Sequence, residues 1–374
     1  MRLNKRRSLF LFSSVCVGMV VIFLVLADRY TIYLYLKLFI GATFAGIVLS
    51  NITEEFAGKL AERVMNLLTG FGFKDRDAEL DEKGVPVVSL RSLGGKYYNA
   101  VAVVMIGEEH YANWQFTKEG RYFQYFINCC ESLLENLKLK ELNGLTFGVW
   151  EYYYPWSYNL KPPWISGLAQ GVGIQIISRA YKLSGEEKYL KAAKYAFNAF
   201  LVEVKDGGVT YKDGENEWWY EEYVGKDGEI SRVLNGMIYA LLGIHEYFVN
   251  TGDREALIVF ERGVRSLKRN LNRYDSGWWT YYDDLGMIAT KSYHIVHLNL
   301  LKGLYEITHE RFLFEIYQKW SNYKKGFFTR RFLKQRPRYH DLMVLSLNIA
   351  GVFLALMFLR LFICQLIPSL LHSI

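Results

Sequence analysis

Two ten-residue segments of this chain repeat at an offset of 67 residues. Ser178-Arg179-Ala180-Tyr181-Lys182-Leu183-Ser184-Gly185-Glu186-Glu187 aligns with His245-Glu246-Tyr247-Phe248-Val249-Asn250-Thr251-Gly252-Asp253-Arg254. In both, an apolar helix ends at Ser/Thr-Gly and an acidic residue opens the next helix. Glycine suits the left-handed position that closes a helix, and Glu or Asp favours the positive start of the one that follows. Leu190 and Leu257 then fall at equivalent places, as do Phe200 and Leu267. A shorter third copy runs Leu304-Tyr305-Glu306-Ile307-Thr308-His309-Glu310. A helix pair cannot bury its apolar face alone, so such units stack. The expected fold is therefore mainly α: an α/α toroid of helical hairpins with small β elements.

The connections between hairpins are rich in Trp, Tyr, Gly and Asp. The stretches 207–219 and 274–284 read as short strands and turns gathered at one end of the toroid. Val85 to Leu93, apolar and β-branched with Pro86 near its start, reads as a small strand region.

Both ends of the chain are apolar. Leu9 to Ala27 holds nineteen residues without a charge, enough to span a bilayer. It follows Arg2, Lys5, Arg6 and Arg7, and its length and poor cleavage site favour an anchor over a signal peptide. A second segment, Thr31 to Ser50, is interrupted only by Lys37; a third runs from Leu342 to Leu359 and on past Arg360 to Ile367. N- and C-terminal transmembrane helices are thus expected to flank the toroid. Of the formal +7, the first seven residues supply +4 and the stretch from Lys324 to His340 a further +7, which leaves the remainder at −4. Basic flanks stay cytoplasmic. With both N-terminal segments spanning, an integral membrane protein results whose globular domain faces the cytoplasm; if the second only lies on the surface, the domain faces outward. The acidic body argues against nucleic acid as a partner. The boundaries that follow are a membrane anchor of one or two spans at 1–50, the first part of the globular domain at 51–144, the toroid at 145–323, a basic juxtamembrane segment at 324–341 and a transmembrane helix at 342–367. Cys16, Cys129, Cys130 and Cys364 show no metal or disulfide spacing.

Four polar, aromatic loops run into helix starts. They are Gly148-Val149-Trp150-Glu151-Tyr152 through Trp164 to Gly171; Trp218-Trp219-Tyr220-Glu221-Glu222-Tyr223 with Val233-Leu234-Asn235-Gly236; Tyr274 through Asp283; and Tyr293-His294-Ile295-Val296-His297-Leu298-Asn299. At Pro162-Pro163-Trp164, Ala169-Gln170-Gly171, Trp219-Tyr220-Glu221-Glu222-Tyr223, Leu234-Asn235-Gly236, Ser266-Leu267-Lys268, Thr280 with Tyr282-Asp283, and Tyr293-His294 with His297 and Asn299, the chain resembles the C-terminal domain of the heparosan D-glucuronyl C5-epimerases. The resemblance runs from about Leu145 to Tyr323. It departs where Asp284-Leu285 replaces an Arg that often follows the Tyr-Asp pair, and the β-rich domain that precedes it in the animal enzymes is much reduced.

The resemblance implies an isomerase that converts glucuronate to iduronate, with Glu222, Tyr223, Tyr282 and Tyr293 as the catalytic residues. Its partner would be an anionic uronate-containing glycan, polymeric or lipid-linked, and a homodimer is left open. The hydrogen at C5 lies α to a carboxylate, so its removal builds a dianion-like aci-carboxylate. One base must take the proton from one face and one acid return a proton on the other. Tyrosine, with an ordinary pKa of about 10, is a strong base once a cation or donor stabilises its phenolate. Glu222 and Tyr293 are the expected opposing pair, with Tyr223 and Tyr282 in support. Lys161 and Arg232 are candidate carboxylate partners, and Trp164, Gln170, Asn235, His294, His297 and Asn299 candidate substrate contacts. No organic cofactor is needed, because the proton leaves and returns without redox change. His294 and His297, at i and i+3, also fit a metal site, so a structural divalent cation stays an alternative. A lyase sharing the C5 abstraction, a hydrolase pairing Glu222 with Asp283, and a glycan-binding module without activity are the rival readings.

Overall fold

The computed structural model describes residues 29–69, 76–90, 93–226, 230–324 and 339–371. The expected segment Leu9 to Ala27 and most of the basic run after Lys324 lie outside them. The chain divides into two compact units, Met1–Phe73 with Lys324–Ile374, and Lys74–Tyr323.

In the first unit, α1 (Arg29–Thr69) packs along α10 (Tyr339–Leu371). Their stretches Tyr33–Thr53 and Asp341–Arg360 are, by length and composition, apolar enough to cross a membrane. Small and polar residues bring the two backbones together. A Cβ on Gly46 would stand 2.7 Å from Ile349 Cγ1. The Thr53 hydroxyl donates to Asn348 Oδ1 at 2.9 Å, and Asn348 Nδ2 donates to Ser50 Oγ at 3.2 Å. α1 does not stop at Ser50. The residues that follow contain no proline, so the helix runs through the boundary placed at 50–51 and ends at Thr69. Asn51-Ile52-Thr53, a glycosylation sequon by sequence, is part of this helix, with Asn51 Nδ2 bonded to Ile47 O.

The second unit is a file of four helical hairpins: α2 (Ala100–Thr117) with α3 (Gly120–Glu135), α4 (Gly167–Ser184) with α5 (Glu187–Asn198), α6 (Leu234–Thr251) with α7 (Arg254–Asn270), and α8 (Lys291–Thr308) with α9 (Arg311–Ser321). The repeat seen in the sequence is the joint of each hairpin. At Ser184-Gly185-Glu186 and Thr251-Gly252-Asp253 the glycines are left-handed, at φ 73° and 74°. The hydroxyl before each glycine donates back to the carbonyl four residues earlier and accepts the N–H of the acidic residue two residues on. Thr308-His309-Glu310 makes the same bonds with His309 at φ 54°. So does Thr117-Lys118-Glu119, with Lys118 at φ 60°. This first hairpin escapes a search for Ser/Thr-Gly because lysine occupies the left-handed position.

The first helix of each hairpin packs on the first helix of the next, in chain order. α4 and α6 touch backbone to backbone: a Cβ on Gly171 would lie 2.5 Å from Ala240 Cα, and one on Gly243 2.0 Å from Gly171 O. These helices are enclosed nearly all round, as α4 shows from Gly167 to Ala180. The second helices bury one stripe, as in α7, where Ala256, Val259, Phe260, Gly263, Val264 and Leu267 face inward at helical spacing. Arg179 of α4 bridges Glu108 of α2 and Glu246 of α6, tying three first helices together.

Short β elements fill the connections. β1 (Arg76–Leu80), β2 (Pro86–Leu90) and β3 (Gly95–Tyr97) form an antiparallel sheet, and β2 is the strand expected near Val85. β4 (Lys138–Leu142) pairs with β5 (Leu145–Val149), a hairpin the sequence reading did not resolve. β6 (Thr210–Gly214) pairs with β7 (Glu217–Tyr220) in the loop expected to hold strands, and Asp275↔Thr280 and Tyr281↔Ile288 bridge the other.

Candidate active site

The site is built where the connections return to the starts of the first helices. Gly167 N–H, at the head of α4, donates to Glu221 O at 2.8 Å; Leu234 N–H, at the head of α6, donates to Tyr282 O at 3.0 Å. These two bonds hold Glu221-Glu222-Tyr223 and Tyr282 against neighbouring helices.

Glu222 completes the start of α6. The residue at its N-cap is Val233, whose side chain cannot accept a hydrogen bond. The Glu222 carboxyl takes that place from eleven residues upstream, accepting from the Gly236 backbone N–H and, at 3.3 Å, from Asn235 Nδ2. The approach is so close that a Cβ on Gly236 would stand 2.3 Å from Glu222 Oε2. Burial pushes the Glu222 carboxyl up to about 8, and the neighbouring Glu221 adds to that; the Tyr223 phenol and the Gly236 N–H pull the other way. Glu221 is spent on structure. Its Oε1 accepts from Ser231 N, Ser231 Oγ and Arg232 N, which closes the neck of the loop that displays Glu222 and Tyr223.

Two phenols, Tyr223 and Tyr282, adjoin Glu222, and a third, Tyr293, follows them. The Tyr223 and Tyr282 oxygens are 3.4 Å apart. The Tyr293 ring stands edge-on to Tyr282 with centroids 4.7 Å apart. Tyr293 is 41% exposed, whereas Tyr282 is buried, so the group runs from the buried carboxyl out to solvent. Burial, with Glu222 next in weight, raises the pKa of both Tyr223 and Tyr282. The sequence reading expects a phenolate eased by a cation; the main influences on these two phenols are instead burial, Glu222 and other phenols. Both therefore stay protonated at neutral pH.

Several expected substrate contacts are occupied elsewhere. Gln170 is fully buried, with its amide bonded to Trp150 N, Gly148 O and Ala196 O, so it fastens β5 and α5 to α4. Trp164 has Tyr152 stacked at 4.2 Å and Trp156 stacked at 6.2 Å, and it presents only an edge towards Tyr223. The Arg232 guanidinium pairs with Asp213 and lies against the Tyr211 and Trp219 rings. His294 and His297 are buried and both turn Nδ1 to the Thr280 hydroxyl, at 3.0 and 3.2 Å. His294 also stacks on Trp279 at 3.8 Å. Burial holds His297 down to about 3, hence neutral. Asn299 and Lys161 are exposed. Asn235, by contrast, is bonded to a catalytic candidate, Glu222. Among the described residues no three His, Cys, Asp or Glu side chains gather as a metal centre requires.

Two further residues join the group, of which Tyr158 was not singled out by sequence. Tyr158 donates to Asp283 Oδ2 at 2.5 Å, and its ring lies 5.4 Å from that of Tyr223. Asp283, part of the family match and weighed as half of a hydrolase pair, has its other oxygen bonded to Met287 N at 2.9 Å. Nothing in local spacing could join Tyr158 to a carboxylate 125 residues away.

A buried carboxyl and a run of phenols thus lie at the heads of stacked helical hairpins. The chain belongs to the D-glucuronyl C5-epimerase C-terminal family, whose model matches residues 143–322. It is 34% identical over 212 residues to an uncharacterised protein of Methanocaldococcus jannaschii, covering 55% of this chain and 67% of that one. It is 38% identical over 186 residues to the D-glucuronyl C5-epimerase of Caenorhabditis elegans, covering 45% of this chain and 30% of the nematode enzyme. The chain thus spans less than a third of that enzyme's length. Among solved structures, a sugar epimerase from a ruminal bacterium superposes with a TM-score of 0.49 at 12% identity, over 75% of each chain. A family 76 glycoside hydrolase (mannosidase) from Bacteroides thetaiotaomicron superposes with a TM-score of 0.43 at 15% identity, over 84% of this chain and 86% of that one.

Proposed function

We propose that the chain is a uronate C5-epimerase that converts D-glucuronate to L-iduronate within a glycan, its hairpins forming part of an α/α toroid. The observation that carries this is the Glu222 carboxyl, pushed up to about 8 and set beside phenols. A group poised near neutral pH can both give and take a proton, and each placed acid or base contributes on the order of 10²–10⁴-fold.

With the sugar ring between Glu222 and Tyr293, one of the pair takes the C5 proton. The C–H electron pair moves into the substrate carboxylate, giving the aci-carboxylate dianion. Tyr223 and Tyr282, held protonated, donate hydrogen bonds to its oxygens, and donors fixed in advance at developing charge are a large source of rate. The other member of the pair then protonates C5 on the opposite face. The proton gained by one and lost by the other is restored through solvent, which Tyr293 meets directly. Asn235 keeps Glu222 aimed. The hydrolase alternative is not favoured, because both Asp283 oxygens are engaged by Tyr158 and Met287.

We further read α1 and α10 as membrane spans and place the catalytic unit on the cytoplasmic side, which suits a nascent or lipid-linked glycan. The membrane reading is tested by resistance to alkaline carbonate extraction, and the sidedness by protease protection in sealed vesicles. The function is tested by incubating the full chain with unsulfated heparosan-type chains in D₂O. Deuterium at C5 together with iduronate supports the assignment. Unsaturated uronate ends point to the lyase, and retention of the C5 hydrogen across several glucuronate polymers would falsify the epimerase reading.

A further inference from the structure

Tyr158 and Asn159 both adopt the left-handed region, at φ 61° and 56°. Two consecutive non-glycine residues there are costly, and such strain survives only where the surroundings fix it. Trp156 N–H to Leu160 O at 3.1 Å and Leu160 N–H to Ser157 O at 3.4 Å close the turn locally, and the Tyr158 phenol on Asp283 Oδ2 is its long-range tie. Asp283 is itself immobile: it is 1% exposed, its Oδ1 accepts Met287 N–H, and the next residue's N–H is bonded to Ser231 O at 3.2 Å. Tyr158 is therefore anchored to the residue that follows Tyr282, while its ring packs on Tyr223. It touches one phenol of the 3.4 Å pair directly and holds the other through its neighbour.

We propose that Tyr158 and Asp283 form a latch that sets the spacing of the Tyr223 and Tyr282 phenols, which makes both of them positioning residues for the epimerase reaction. The inference rests on the function proposed above for the site. The latch joins the loop before α4 to the loop before α8, so the phenol spacing is set only when both loops are in register. Without the Tyr158 hydroxyl, the strained pair keeps, among the described residues, only the turn's own backbone bonds, the 155–160 loop relaxes, and Tyr223 loses the ring that fixes it on one side. A displacement of about 1 Å at a reacting group costs on the order of 100-fold, so the loss falls on turnover more than on substrate binding.

The test uses the full chain and the variants Tyr158→Phe, Asp283→Asn and the double variant. Amide hydrogen exchange is followed by mass spectrometry in the segments 155–160 and 282–287. Each single variant should accelerate exchange in both segments, and the double variant should add nothing. Exchange unchanged in the single variants, or effects that simply add, would overturn the latch whether or not the protein proves to be an epimerase. C5 deuterium incorporation is measured in parallel. Tyr158→Phe should lower kcat on the order of 10- to 100-fold with KM nearly constant and the melting curve still cooperative. A wild-type kcat in Tyr158→Phe also overturns the proposal. A wild-type protein that never exchanges C5 sinks the epimerase reading instead, and leaves the exchange comparison to decide the latch.

Discussion

The Tyr223 and Tyr282 phenol oxygens stand 3.4 Å apart, although 59 residues separate them in the chain. Each is held protonated by burial and by the Glu222 carboxyl. Two donors at that spacing match the two oxygens of one carboxylate. Removing one hydroxyl should therefore weaken binding of the charged intermediate more than binding of the substrate. Tyr282→Phe is expected to lower kcat on the order of 100-fold with a smaller change in KM. Steady-state rates of C5 deuterium uptake check this.

Glu222→Gln should abolish C5 exchange while the protein stays folded, because a glutamine oxygen can still accept from Gly236 N–H and Asn235. The loss is expected on the order of 10²–10⁴-fold. Comparable exchange in the variant and the wild type would remove Glu222 from the mechanism.

The same carboxyl makes stability depend on pH. Its pKa rises from 4.5 to about 8 on folding, so between those values the native state holds a proton that the unfolded chain has released. Stability should accordingly fall as pH rises through that window and level off above it. Glu222→Gln cannot lose the proton, so its melting temperature should fall less over the same range. Parallel melting curves for the two proteins would contradict the assigned shift.

Gly236→Ala tests the close approach at the head of α6. The added methyl would meet Glu222 Oε2 at 2.3 Å and Glu222 Cβ at 2.5 Å. The side chain must move, at a cost of about 1–3 kcal/mol, and activity should drop with it. Denaturant melts and exchange rates on one preparation give both quantities.

The hairpin joints yield a prediction in the opposite direction. Lys118 is left-handed at φ 60°, and among the described residues its ammonium reaches Gln115, at 3.5 Å, and the Trp114 ring, at 5.7 Å. Lys118→Gly relieves that strain and should raise stability by about 0.5–1 kcal/mol after the greater freedom of glycine in the unfolded chain is counted. Gly185→Ala should lower stability by a similar amount. Thermal melts of both variants decide it.

The hairpins were legible because the joint is a local device. Ser184-Gly185-Glu186 and Thr251-Gly252-Asp253 write their bonding into three residues; Thr308-His309-Glu310 was read without a glycine, whereas Thr117-Lys118-Glu119, with the same flanking hydroxyl and acid, was not read. The grouping of Glu222, Tyr223, Tyr282 and Tyr293 was read through family resemblance; no spacing in the chain would have joined them. The roles of Gln170, Trp164 and Arg232 were not legible, since a polar or aromatic residue in a loop looks the same whether it faces a ligand or a neighbouring backbone. Only the partners of Gln170 among Trp150, Gly148 and Ala196 tell the two apart. Tyr158 was missed for the converse reason: its partner lies in a connection on the far side of two hairpins.

The direction in which the hairpins repeat has an electrical consequence. Glu221 and Glu222 lie at the heads of α4 and α6, and Tyr282 and Tyr293 at the heads of α6 and α8. Three helices thus point their positive dipole ends at one rim. That field comes from peptide groups that no titration can neutralise, so the proposed anionic substrate would meet it at every pH, on a body whose side chains carry a net negative charge.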